Sequence, residues 1–362
     1  MKRLSNKSAL GLFKDAPLIE LGRMADLRRK ALHPGGIVSF VIDRNINYTN
    51  ICINGCRFCA FYRPPGDPEG YVLGRRELFE KIKETLRHGG TQILLQGGLN
   101  PALNINYYTG LLRAIKRSFR INVHGFSPPE ISYIAEKSGL TIRETLWVLR
   151  EAGLDSIPGG GAEILSDRVR AELSPRKLGS DGWLRVMYEA HRAGMRTTAT
   201  MMFGSIETPE DIVEHLDRIR SLQDRTGGFT AFIPWPFQPG NTPYEGANIA
   251  GGRAPISQGR VAPIMPATAV EYLRALALSR LYLDNIPNIQ ASWVTQGLRL
   301  AQVALRFGAN DLGSTMLEEN VISSTGVRHM VSKEEIISAI RGAGFIPAER
   351  DTYYSLLRVY QL

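Results

Sequence analysis

Short apolar runs alternate along most of the chain with longer stretches in which apolar positions recur every three or four residues. The short runs, near 37–42, 91–96, 120–124, 154–157, 195–203, 228–234, 288–291 and 307–312, read as β-strands. Between them lie amphipathic stretches, Glu77 to His88, Tyr107 to Phe119, Ile142 to Glu151, Trp183 to Arg192, Pro209 to Asp224 and Ala269 to Leu283. Eight strands with intervening helices predict a parallel sheet closed into a (βα)8 TIM-type barrel. An open doubly wound sheet is the alternative, although no G-x-G-x-x-G follows the first strand.

The pattern divides the chain into three parts. Residues 1–36 are a helical preamble carrying Leu18, Ile19, Leu21, Met24, Leu27 and Leu32 at helical spacing, closed by His33-Pro34-Gly35-Gly36. Residues 37–328 form the barrel, with a Gly-, Ala- and Pro-rich stretch at 244–266 that reads as a surface loop or lid. Residues 329–362 are a helix and then the alternation of Tyr353 to Tyr360, an αβ appendage expected to pack outside the barrel. Several strands end in turns, namely Gln96-Gly97-Gly98, His124-Gly125-Phe126-Ser127, Pro158-Gly159-Gly160-Gly161 and Phe203-Gly204-Ser205. In such barrels the site gathers at the C-terminal ends of the strands, so the chemistry belongs at these turns.

Composition narrows the class. With 362 residues, 43% hydrophobic and 22% charged, the chain is an ordinary globular protein rather than a disordered or fibrous one. No run reaches the roughly 18 apolar residues of a membrane span, and the N-terminus lacks a long signal-peptide core, so the expected setting is cytoplasmic. Against 35 acidic residues stand 44 Lys and Arg, a formal charge of +9 spread along the chain. No block of five or six basic residues appears, so nucleic-acid binding is not expected. An anionic small-molecule substrate is compatible with the charge, and so is a merely basic surface.

The cysteines change the picture more. All three, Cys52, Cys56 and Cys59, fall within eight positions on the loop after the first strand. An odd number argues against a disulfide framework and the spacing argues for a shared ligand. Three thiolates can hold three irons of a 4Fe-4S cluster, and with no fourth cysteine one iron stays open. Zinc competes, as three Cys and a His are a common closed site, yet none of the six histidines lies near the loop in sequence.

Cys-x3-Cys-x2-Cys with Phe58 before the third cysteine resembles the radical S-adenosylmethionine superfamily. That resemblance implies a 4Fe-4S cluster, S-adenosyl-L-methionine chelated at the open iron, reductive cleavage to a 5′-deoxyadenosyl radical, and an external electron donor such as a flavodoxin or ferredoxin. It places Gln96, Gly97 and Gly98 beside the methionine amino group, although a plain βα turn fits the same residues. Phe203-Gly204-Ser205-Ile206-Glu207-Thr208 is similar to the element beside the nucleoside; Glu207 reads equally as a carboxylate at the start of the following helix. Longer stretches, Asn47 to Asn50, Cys59 to Arg63, Thr91 to Pro101, Ala152 to Leu165, Thr198 to Gly204, Leu222 to Gln238 and Asn285 to Thr295, resemble the futalosine-pathway branch of menaquinone biosynthesis and its deazaflavin-forming relatives.

For the substrate, the branch implies dehypoxanthine futalosine, with hydrogen removed from ribose C4′ and the ring closed onto the benzoate. Adenosyl transfer to an enolpyruvyl benzoate, or deazaflavin formation, is the alternative within the superfamily. A non-catalytic iron-sulfur or zinc protein is the alternative outside it. Glu163, after the triple glycine, joins the cofactor candidates. His124, Glu130 and Arg63 are candidates for the substrate, and Asp155 for the general base. Each also has a plainer reading as a turn cap, a buried pair or a surface charge.

Overall fold

The computed structural model describes residues 3–245 and 263–361. In chain order its strands are β1 Ile37–Val41, β2 Asn45–Asn47, β3 Gln92–Gln96, β4 Asn122–Gly125, β5 Ser156–Ile157, β6 Arg196–Phe203, β7 Phe229–Pro236, β8 Asn288–Ile289, β9 Asp311–Ser314, β10 Ile346–Arg350 and β11 Leu356–Val359. The helices are α1 Asn6–Asp15, α2 Leu18–Leu32, α3 Arg75–Arg87, α4 Ile105–Ser118, α5 Pro128–Ser138, α6 Ile142–Ala152, α7 Asp167–Leu173, α8 Ser180–Arg192, α9 Pro209–Thr226, α10 Ala269–Tyr282, α11 Leu298–Ala304 and α12 Lys333–Gly342. Among the described residues none is long and apolar enough to cross a membrane.

The strands close into a ring. A parallel sheet runs β2-β3-β4-β5-β6-β7-β8, a parallel bridge from Gln290 to Asp311 carries it to β9, and β9 pairs in parallel with β1. The chain then passes from β1 through Ile42, Asp43 and Arg44 into β2, so these two short strands are one barrel strand interrupted by three residues, two of them charged. The expected (βα)8 barrel is therefore what forms, with β6 and β7 its longest pair. Helices bury their apolar faces on its outside: α4 sinks Tyr108, Leu111, Leu112 and Ile115, and α8 sinks Trp183, Val186, Met187 and Ala190.

Two parts differ from the pattern-based expectation. The pattern misses the short α7 and α11 and also α5, whose first turn holds Pro128 and Pro129, positions where a missing N–H costs nothing; the Ser127 side chain caps α5 by accepting the Glu130 N–H. The C-terminal segment does not simply pack outside. β10 pairs in parallel with β1, on the side that β2 gives to β3, and residues 350–354 then run beneath the barrel. Arg350 is 4% exposed, and the Thr352 hydroxyl donates to Gln92 at the start of β3 (2.6 Å). The predicted strand at Tyr353 to Tyr360 is β11, antiparallel to β10. Of the loop expected at 244–266, residues 246–262 lie outside the described residues; its ends meet where the Ile264 N–H donates to the Tyr244 carbonyl (3.1 Å).

Candidate active site

After β2 the chain enters a loop that closes on itself. The Arg63 N–H donates to Asn50 O (2.8 Å), the Cys52 N–H to Arg63 O (2.9 Å), and the Cys59 N–H to Cys56 O (3.1 Å). The Arg63 guanidinium completes the brace, donating to the carbonyls of Ala60 and Tyr62 and to Glu69 (2.7 Å). Arg63 is thus spent on its own loop and does not line the barrel cavity.

All three thiols are free, with Cys56 buried and Cys52 and Cys59 partly exposed. Among the described residues no three His, Cys, Asp or Glu side chains gather where they could hold one metal ion. A cluster asks for thiolates on separate irons, and three thiols on one closed loop fit that. Burial pushes the Cys56 thiol up to about 12 and raises Cys59 as well, although the sulfur of Cys59 accepts the N–H groups of Tyr62 and Phe61. A bound cation is what converts such buried thiols to thiolates.

Two glycines let the next turn press against this loop. A Cβ on Gly98 would overlap the Ile51 carbonyl and stand 2.8 Å from the Cys52 Cβ; one on Gly97 would stand 2.6 Å from the Tyr48 ring. Behind them Glu130 accepts the Tyr48 hydroxyl (2.6 Å), the Ser127 hydroxyl (2.6 Å) and the Gly97 N–H (3.1 Å). Burial pushes its carboxyl up to about 7 against these hydrogen bonds. Glu130 supports the turn from behind rather than facing the cavity.

Glu163 sits at the mouth with φ of 41°, a left-handed conformation that costs energy in a residue with a side chain. Its Oε1 accepts Lys177 Nζ (3.0 Å), while Oε2 is buried without a hydrogen-bond partner, 3.7 Å from Arg170. Lys177 also stands 5.3 Å from the Phe58 ring centre, tying Glu163 to the cysteine loop. Against burial, the Glu163 carboxylate holds the Lys177 ammonium above its ordinary value. Glu207 accepts the N–H groups of Gly204 and Ser205 and the Ser205 hydroxyl (2.6 Å), which shapes the turn into α9.

Beneath the mouth the barrel holds a cavity of about 260 Å³, with Gln96, Gly160, Glu163 and Trp235 above and Asp43, Gln92, Arg350 and Tyr354 below. His124 lines it at mid-height, its Nδ1 bound to Ser156 Oγ (2.7 Å), and burial lowers the ring to about 3, so it is neutral. Asp155 is elsewhere. Its Oδ2 accepts Lys116 Nζ (2.6 Å) and the Val123 N–H (2.7 Å) just before β5, on the helix side of the sheet, where it is a structural pair and not a base for cavity chemistry.

The structure also brings in residues that sequence reasoning passed over. Lys177 and Arg170 follow the triple glycine at a distance no motif marks. Gln92 lies inside an apolar strand run and Asp43 just past the end of one, and Arg350 belongs to the charged triplet Glu349-Arg350-Asp351, which reads as solvated surface. The only signal for Asp43 was a carboxylate ending the first apolar run.

Comparison with known proteins identifies the family. Residues 46–219 match the radical SAM superfamily and residues 226–361 match the CofH/MqnC C-terminal region. The chain is 46% identical to the cyclic dehypoxanthine futalosine synthase of Halalkalibacterium halodurans, over 99% of this chain and 93% of the relative. It is 43% identical to the 5-amino-6-(D-ribitylamino)uracil–L-tyrosine 4-hydroxyphenyl transferase of Methanocaldococcus jannaschii, over 98% of each chain. Among solved structures, methylornithine synthase shares the fold with a TM-score of 0.69 at 19% identity, covering 96% of this chain and 95% of the other. The hydrogenase maturase HydG of Carboxydothermus hydrogenoformans does so at 0.74 and 18%, covering 98% and 78%.

Proposed function

The chain belongs to the radical S-adenosylmethionine superfamily, in the group that includes cyclic dehypoxanthine futalosine synthases, and from that membership we propose that it converts dehypoxanthine futalosine to cyclic dehypoxanthine futalosine. It is an enzyme, and its cofactors are a 4Fe-4S cluster and S-adenosyl-L-methionine. Bound together they supply one-electron cleavage to a 5′-deoxyadenosyl radical, the hydrogen acceptor for ribose C4′.

The observation that carries the reading is a loop holding the chain's three cysteines, with no fourth cysteine in the sequence, next to a barrel cavity that ends in polar side chains. In this reading Cys52, Cys56 and Cys59 hold the cluster. Gly97 and Gly98 give the cofactor a close backbone wall beside Gln96 and Phe58. The Oε2 of Glu163, which has no hydrogen-bond partner of its own, accepts a hydrogen bond from the cofactor's amine or ribose, and Glu207 keeps the neighbouring turn in shape. The chain's own task is positioning. It holds C4′ near both the radical carbon and the benzoate ring and keeps water and other hydrogen donors away. An external flavodoxin or ferredoxin reduces the cluster from the side of the partly exposed Cys52 and Cys59, in the cytoplasm.

The test is the anaerobically reconstituted enzyme with dehypoxanthine futalosine carrying deuterium at C4′. Deuterium in 5′-deoxyadenosine and a product two hydrogens lighter than unlabelled substrate are expected. A second reading has an observation behind it, the full-length match to a 4-hydroxyphenyl transferase at 43% identity. Consumption of L-tyrosine with 5-amino-6-(D-ribitylamino)uracil, and none of dehypoxanthine futalosine, would put that activity in its place.

A further inference from the structure

Asp43 interrupts the first barrel strand and is 4% exposed, yet it lines the cavity. Only neutral groups are bound to it. The Ser314 hydroxyl donates to Oδ1 and the Gln92 amide to Oδ2 (2.5 Å). Gln92 is fixed in turn by the Thr352 hydroxyl (2.6 Å), and Thr352 by the Asn122 amide (3.3 Å). The cation on the same floor is already committed: Arg350 donates to Asp311 through Nε (2.6 Å) and Nη2 (2.9 Å), and through Nη1 to the Asp351 carbonyl (3.0 Å).

A carboxylate has about four acceptor positions, and Asp43 has two of them filled. Burial without enough donors is costly, so the site calls for a further hydrogen-bond donor from whatever occupies the cavity. A second acid will not serve, because the floor already holds Asp43 and Asp311 against one guanidinium. A hydroxyl serves well. Gln92 lines the cavity beside Asp43, and His124 above it is neutral with one ring nitrogen engaged by Ser156 and the other making no hydrogen bond to a described residue. The volume, about 260 Å³, is under the roughly 300 Å³ at which pockets for whole ligands begin, so the floor takes one end of a substrate.

We propose that Asp43, with Gln92 and His124, forms a hydroxyl-anchoring subsite that binds the sugar end of the substrate and leaves its benzoate end toward the mouth. This rests on the function proposed above and adds the direction in which the substrate enters. Asp43 orients the sugar ring through its hydroxyls, which fixes where C4′ lies, and it takes no part in bond breaking.

The experiment measures binding by anaerobic calorimetry to the reconstituted protein, with dehypoxanthine futalosine and its 2′-deoxy and 3′-deoxy analogues. Wild-type enzyme is expected to bind at least one deoxy analogue about tenfold or more weakly than the parent. Asp43→Asn should bind the parent about tenfold more weakly and no longer discriminate against that analogue, while its cluster absorbance is unchanged. Equal binding of all three compounds by the wild type overturns the subsite, and that measurement needs no variant to fold. Retained discrimination by Asp43→Asn overturns it too. Should wild-type enzyme neither bind nor convert dehypoxanthine futalosine, the proposed function itself falls, a result distinct from either of these.

Discussion

At the mouth of the barrel three thiols, the loop that carries them and its closest braces come from residues 50–69, whereas at the floor Ser39, Asp43, Gln92, Asp311, Arg350 and Thr352 meet from four separate parts of the chain. The mouth is closed by short-range backbone hydrogen bonds, by glycines that let one turn touch the next, and by a few longer ties such as the Arg57 N–H to the Leu173 carbonyl (2.9 Å) and Arg176 to the Asn54 carbonyl (3.1 Å). The floor is held by a buried ion pair and a chain of side-chain hydrogen bonds that exists only once the barrel has closed. Chemistry is therefore concentrated where the local sequence dictates geometry. The shape of the cavity depends on contacts between residues far apart in sequence, such as that of Thr352 with Gln92, 260 positions away.

The strongest way to break this division is at the mouth. Cys56→Ser should lower 5′-deoxyadenosine formation by at least about a thousandfold, since the thiolate that holds one iron is lost. Iron content should fall with it. Because backbone hydrogen bonds close the loop without the thiol, the thermal midpoint of the metal-free protein should move by less than about 4 °C. A large drop in that midpoint would mean that the thiol is part of the packing and that the two regions are not separable in this way.

At the floor the expected loss is of stability. Arg350→Met leaves Asp311, which is 0% exposed, without its cation, and breaking one side of such a pair costs roughly 3–5 kcal/mol. Denaturant unfolding measures it, and adding Asp311→Asn should recover part of the loss, because no unpaired buried charge then remains. Folded Arg350→Met should still cleave S-adenosylmethionine without substrate. Cleavage that fails along with stability would show the floor to govern the mouth.

The same contrast explains what the sequence reveals. The eight barrel strands were readable because each is a short apolar run between amphipathic helices, and the cysteine loop because its spacing is local. β10 was not, since Ile346-Pro347-Ala348-Glu349-Arg350 contains a proline and two charges and looks like surface until it pairs with β1. Asp155 misled for a related reason. A strand's alternation tells which residues share a face but not which face is inward when the strand is two residues long, and here the carboxylate turns out to Lys116. Arg63 looked available for an anion because its loop carbonyls, its actual partners, have no signature in sequence.

The smallest effect sharpens the comparison from between the two regions. Glu130 lies at the mouth by position, yet it is 3% exposed and linked to Tyr48, Ser127 and Gly97 as the floor groups are linked to one another. Its carboxyl titrates near 7 in the folded protein, against an ordinary value of 4.5, because burial disfavours the charged form more than three hydrogen bonds favour it. A group raised in this way contributes its stability fully below pH 4.5 and loses it as pH rises through 7. Each pH unit in that window costs about 1.4 kcal/mol, so the whole contribution falls by about 3 kcal/mol. Glu130→Gln keeps a carbonyl acceptor for Tyr48 and Gly97 but cannot titrate. Unfolding curves at pH 5, 6, 7 and 8 should therefore show the variant gaining on the wild type by about 3 kcal/mol toward the alkaline end. Parallel pH profiles for the two proteins would mean that the three donors keep Glu130 ionised throughout, and that the mouth carries a permanent buried charge just as the floor does.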